Sequence, residues 1–140
     1  MSTRIKYDVE ITRYAKKKYI KSFRKKYYSA WDKTIEALEK TFKKSSFKEL
    51  DKKDVCDEIC KKNNNYYIVK YDFKISWSNQ SAKDSWNRMI LYIDEVNSKT
   101  SILFVYNKND HIWPQRETVW WKNKVKKKFK KRTKKFDGCI

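Results

Sequence analysis

Lys70-Tyr71-Asp72-Phe73-Lys74-Ile75-Ser76-Trp77 sets Tyr71, Phe73, Ile75 and Trp77 against Lys70, Asp72, Lys74 and Ser76 at alternate positions. Period two marks a strand with one face packed and the other wet, so the stretch is expected to be a strand whose open face carries lysines. Two apolar runs follow, Asn87-Arg88-Met89-Ile90-Leu91-Tyr92-Ile93-Asp94 and Ser101-Ile102-Leu103-Phe104-Val105-Tyr106. Both are apolar at nearly every position, as strands covered on both sides are, and Glu95 to Thr100 can close them as a hairpin on an Asn97-Ser98 turn. The expectation is a small, mainly antiparallel sheet with cations on one side.

Near the N-terminus Lys6-Tyr7-Asp8-Val9-Glu10-Ile11 alternates and reads as a first strand, after which Thr12 caps a helix. Tyr19, Ile20, Phe23 and Tyr27 recur at helical spacing, and after Ser29 so do Trp31, Ile35, Leu38 and Phe42. Two adjacent amphipathic helices need one shared surface, and the sheet supplies it. Residues 43–65 allow a short helix from about Asp51 to Lys62 that carries Val55, Cys56, Ile59 and Cys60 and ends in an asparagine run. Glu117 to Lys128 reads as a C-terminal helix with Trp120, Trp121 and Val125 near helical spacing. The fold class is therefore α+β in two layers, with an N-terminal strand and two-helix hairpin packed on the sheet and a short C-terminal helix.

At 140 residues the length prior gives one domain. Aromatics at 16% must fill much of its interior. One Gly and one Pro leave the turns to Asn, Asp and Ser, and exclude the glycine-rich phosphate loops of nucleotide enzymes, so no cofactor is expected. The net charge is +19, and residues 122–140, with ten Lys/Arg and one acid, account for only about half of it. The body is itself basic, which points to polyanionic partners.

Cys56, Cys60 and Cys139 with a single histidine do not complete a metal site, so no metal is expected and Cys56 and Cys60 read as reduced thiols on one helix face. The absence of a signal peptide or membrane-length apolar run points to a cytoplasmic protein with no membrane partner. Residues 1–125 form the expected domain and residues 126–140 a basic tail. There Lys126, Lys127, Lys128, Lys130, Lys131 and Arg132, interleaved with Phe129, are either a solvated tail or an arm for RNA phosphates.

The order of elements resembles the RelE/ParE superfamily of bacterial toxins from toxin–antitoxin pairs. The likeness is carried by Tyr7 to Ile11 leading into the basic helix pair, by Asp72-Phe73-Lys74-Ile75, by Asn87 to Tyr92, and by Leu103 to Asp110 followed by Glu117 to Trp121. It covers most of residues 5–125. It implies a ribosome-dependent endoribonuclease that cuts mRNA and is silenced by an antitoxin, with Lys74 (with Lys70), Arg88 and Lys108 at the positions that hold the phosphate. The family alternative is a ParE-like inhibitor of DNA gyrase, and outside the family the chain reads as a non-catalytic basic module for RNA or ribosomes.

RNA can be cleaved without metal by its own 2′-hydroxyl, given a base near that group, cations on the phosphorane and an acid at the leaving oxygen. Arg88 suits the charge, because its fork binds two phosphate oxygens. His111, the one histidine, and Glu117 are the candidates for proton transfer. Each has a plainer reading: His111 as a surface histidine, Glu117 as a helix N-terminal acid, Arg88 as the ion-pair partner of Asp72 or Asp94. Trp86, Trp113 and Arg116, in polar loops, complete the expected RNA contacts.

Overall fold

A computed structural model describes residues 6–110 and 115–140, apart from the Tyr19 side chain. Its centre is a five-stranded sheet in the order β1-β5-β4-β3-β2, made by Asp8–Ile11 (β1), Cys56–Lys62 (β2), Tyr66–Phe73 (β3), Asn87–Asp94 (β4) and Lys99–Asn107 (β5). β1 runs parallel to β5 and every other pairing is antiparallel. The N-terminal helices carry the chain from β1 at one edge of the sheet to β2 at the other, and the antiparallel run β2 to β5 returns it to lie beside β1. These are Arg13–Ala15 (α1), a π-helical turn at Lys16–Ile20, Lys21–Tyr27 (α2) and Ser29–Lys44 (α3). Thr12 caps α1 by accepting a hydrogen bond from the Ala15 N–H. The α+β class with its mainly antiparallel sheet is as expected.

On one face, Phe23, Trp31 and Phe42 from α2 and α3 pack against Val69, Tyr71, Phe73, Met89 and Leu91. Short helix α4, Phe47–Asp51, adds Phe47 and Leu50 and begins with a capping box between Ser46 and Glu49, and a single turn of helix, α5, Ala82–Ser85, joins β3 to β4. The second face is covered too. Helix α6, Glu117–Lys128, lays Trp120, Trp121 and Val125 over Ile68, Ile90, Phe104 and Tyr106. The expected lysine-lined open face is thus corrected: Asp72 is buried, and Lys70 is half-buried beside Asp57 at 3.9 Å.

Strand β3 is also displaced from the expected Lys70 to Trp77. It pairs with β4 from Tyr66↔Asp94 to Phe73↔Asn87 and ends where β4 runs out of partners. Lys74 to Trp77 lie beyond it, with Ile75 still buried.

The largest departure is in the stretch from about Asp51 to Lys62, expected as one helix: Asp51 ends α4 and Cys56–Lys62 is the strand β2. Lys62-Asn63-Asn64-Asn65 turns it into β3, with Asn63 and Asn64 both at positive φ and the Asn65 N–H donating to the Lys62 carbonyl. Because Lys62 pairs with Tyr66, the connection is a three-residue hairpin loop, and asparagine tolerates the left-handed backbone that it needs. A register shift between Glu58 and Cys60 turns Cys60 to the opposite face from Cys56. Cys60 thereby reaches Cys139 in a disulfide, Cα to Cα 6.0 Å, while Cys56 remains a free thiol. The expected pair of reduced thiols is corrected accordingly. Burial pushes the Cys56 thiol up to about 12, so it is unreactive at neutral pH.

That bond closes the C-terminus onto the sheet. Residues 126–140, expected as a basic tail, continue from α6 into α7 (Lys130–Thr133) and a 3₁₀ turn at Lys134–Phe136. Phe136 is buried edge-on against Tyr92. Loop-closure entropy for a separation of 79 residues corresponds to about 4 kcal/mol. Cys139→Ser, or reduction with dithiothreitol, is expected to lower the urea midpoint by a matching amount; identical midpoints with and without reductant would show that the bond contributes nothing.

Candidate nucleic-acid interface at one end of the sheet

Strand register gathers the expected site residues. Asp72 of β3 lies opposite Arg88 of β4, which lies opposite Tyr106 of β5. One step further out Phe73, Asn87 and Asn107 share a row. Lys74 then follows β3, and Lys108 opens a 3₁₀ turn, Lys108–Asp110, after β5. Helix α6 starts over the same end, with Arg116 as its exposed N-cap residue and Glu117 in its first turn. Lys74, Arg88, Lys108, Arg116 and Glu117 are therefore brought to one end of the sheet from three strands and a helix.

Arg88 is 9% exposed and sits between two carboxylates. Its Nη1 is 3.2 Å from Asp72 Oδ1, and its Nε is 3.7 Å from Glu117 Oε2. The plainer reading of Arg88, as a partner of Asp72, is thus what the geometry shows in the free protein. The contacts are electrostatic and poorly aligned: among the described residues Nε and Nη1 of Arg88 and Oδ1 of Asp72 have no hydrogen-bond partner. The Tyr106 hydroxyl donates to Glu117 Oε2 at 2.6 Å. Burial, then that bond, raises the Tyr106 pKa far above its ordinary value, so the phenol stays protonated and holds Glu117. Burial also raises the Asp72 carboxyl, outweighing the opposing pull of Arg88.

Exposed rings surround this end. Tyr28, between α2 and α3, is 72% exposed and Trp77, after β3, is 73% exposed. Trp86, before β4, is half-exposed, with Lys108 Nζ 5.5 Å from its ring centroid. The backbone N–H of Lys108 donates to the Trp86 carbonyl, which ties the two loops together. All three aromatics have positive φ, at 52°, 68° and 61°. For bulky residues this is an uncommon conformation that costs on the order of 1–3 kcal/mol each. Asn87 and Asn107 floor the space between, with Asn107 Nδ2 donating to Asn87 Oδ1 at 2.9 Å. Tyr28, Trp77, Asn87 and Asn107 were not among the residues expected at a site. Asn87 and Asn107 border the quoted apolar runs and could have been noticed as polar ends of buried strands, whereas no sequence signal marks a positive φ at Tyr or Trp.

Other expected contacts lie apart. Lys70 is in mid-strand. Lys126 to Arg132 follow α6 to its far end, about 16 Å from Glu117 at the helical rise per residue. There Arg132 is 3.0 Å from Glu10 and lies over the Phe129 ring. Lys127, Lys128, Lys130 and Lys131 are exposed. His111 and Trp113 lie outside the described residues. Among the described residues no cluster of His, Cys, Asp or Glu could hold a metal ion, and no helix is long and apolar enough to cross a membrane. No family model matches the chain, and neither the curated proteins nor the solved structures compared with it give a match.

Arg88→Met keeps the stem of the side chain and removes its charge. Arg88 is the main influence holding the Asp72 pKa down, so the variant's Asp72 pKa rises further, measurable by carboxyl NMR. A folded pKa above the unfolded one means that the native state binds the proton more tightly. Stability is then greatest below the unfolded pKa and falls as pH rises through the folded one. Relative to the native protein, Arg88→Met should lose less stability at pH 4 than at pH 7 in urea titrations; an equal loss at both would refute the coupling.

Proposed function

We propose that this protein binds single-stranded RNA at the β3–β4–β5 end of its sheet and acts on mRNA at the ribosome, as the RelE-like toxins it resembles do. The observation that supports this most is the convergence of Lys74, Arg88, Lys108 and Arg116 on one sheet end, in a chain of net charge +19. Phosphates of a bound strand would meet Lys74 and Lys108 first, since both are exposed. Cleavage is favoured by the state of Arg88. Its misaligned Nε and Nη1 leave a buried guanidinium under-satisfied, and a phosphate that displaced Asp72 or Glu117 would gain a two-pronged contact while freeing a carboxylate for proton transfer.

The non-catalytic module is the second reading, favoured by the burial of Arg88 and its two carboxylate neighbours. The ribosome and mRNA are the implied partners, with an antitoxin as inhibitor. The implied compartment is the cytoplasm, where thiol buffers would make Cys60–Cys139 a bond formed only under oxidation.

Lys74→Ala plus Lys108→Ala is expected to weaken binding of an unstructured RNA and reduce the slope of log affinity against log salt by about 1.4. In cell-free translation the native protein should generate new mRNA 5′ ends by primer extension, and Arg88→Ala should not, while still binding RNA. Intact mRNA with both proteins, together with salt-dependent binding, would leave the module reading. An unchanged salt slope in the double variant would remove the sheet end as the RNA site.

A further inference from the structure

The phosphate-binding reading uses the cations and leaves the exposed rings unexplained. Tyr28, Trp77 and Trp86 are the exposed large aromatics among the described residues, and each sits at a positive φ that a glycine would adopt without cost. A ring on the surface is not held there by burial. Two depressions connect this region: one lies between α2 and the ends of β4 and β5, the other beneath Ile75 to Ser78, and they share Tyr27 and Asn87. Trp77 lines the second directly. Polar groups are placed within reach of whatever enters. Asn107 fixes the Asn87 amide through Oδ1, and among the described residues no hydrogen bond uses Asn87 Nδ2. Cations flank both sides, with Lys26 Nζ 5.3 Å from the Tyr27 ring and Lys108 Nζ 5.5 Å from that of Trp86.

Flat rings, amide donors and nearby ammonium groups suit a ligand made of planar heterocycles joined by phosphates. We propose that the groove floored by Asn87 is a nucleobase-binding site. Unpaired bases of single-stranded RNA stack on Trp77 and Tyr28, a further base meets the open side of Trp86, and Lys26 and Lys108 take the intervening phosphates. The proposal deepens the RNA-binding reading and rests on it. It adds that the protein holds bases rather than backbone charge alone, and therefore discriminates against duplex RNA, whose bases are stacked away.

Fluorescence anisotropy with a short unstructured RNA, the same strand lacking its bases, the duplex and the corresponding single-stranded DNA would test it. The native protein should bind the intact RNA at least about tenfold more tightly than the base-free strand or the duplex. Trp77→Gly should bring the intact RNA down toward the base-free level with an unchanged salt slope. Its thermal midpoint should hold or rise, because glycine relieves the positive φ; Tyr28→Gly should do the same. A marked fall in midpoint on Trp77→Gly would assign the ring a structural role and overturn the proposal. Equal affinity for base-free and intact RNA would overturn it while leaving phosphate binding at the sheet end in place. Binding of neither strand would end both readings, and tighter binding of the DNA would overturn the choice of RNA.

Discussion

Strand β4 is buried at every position from Asn87 to Ile93, and the rest of the structure follows from that requirement. A strand enclosed in this way needs a paired neighbour on each edge and a covering layer on each face. β3 and β5 provide the edges. Helices α2 and α3 close one face, and α6 with the C-terminal turns closes the other. With so much basic charge in the chain, covering both faces forces the lysines outward. The aromatic rings become the interior and the cations the shell.

The requirement also explains the polar cluster at the strand's start. Arg88 is the one charged residue within the buried run, and a guanidinium cannot be desolvated alone. Asp72 from the neighbouring strand and Glu117 from the covering helix face it, and the buried Tyr106 hydroxyl anchors Glu117. Such a cluster costs more to assemble than an apolar replacement of the same volume, and its alignment is poor. At the end of the sheet where cations and exposed rings also gather, that imperfection is what the proposed function builds on, since an incoming phosphate would gain most there.

How far the sequence disclosed this depended on whether pattern and pairing agreed. The apolar runs at Asn87 to Asp94 and Ser101 to Tyr106 became strands, and Glu117 to Lys128 became a helix, because period and burial point the same way there. Strand β3 was framed four residues late because Ile75 and Trp77 continue the alternation past the point where pairing stops. Strand β2 was mistaken for a helix because Val55, Cys56, Ile59 and Cys60 imitate a helical stripe. In the fold the same spacing arises from a bulge that sends Cys56 and Cys60 to opposite faces. The last residues were dominated by charge, so Phe129 and Phe136 were read as rings of a basic arm, whereas Phe136 and Thr133 are buried against the sheet and Phe129 packs beside them. Of the site, Lys74, Arg88, Lys108 and Glu117 were legible as residue types near strand ends. The rings at Tyr28 and Trp77 were not, since their exposure comes from backbone dihedrals that no composition or spacing encodes.

Under the proposed function RNA is held at the β3–β4–β5 end and not merely attracted by the basic C-terminal turns. Backbone amide NMR of the isotope-labelled protein, titrated with an unstructured RNA at moderate salt, locates the contact directly. The largest shift changes are expected at Ser76, Trp77, Trp86, Asn87, Asn107 and Lys108. Changes confined to Lys126 to Arg132, with the sheet end unmoved, would contradict it.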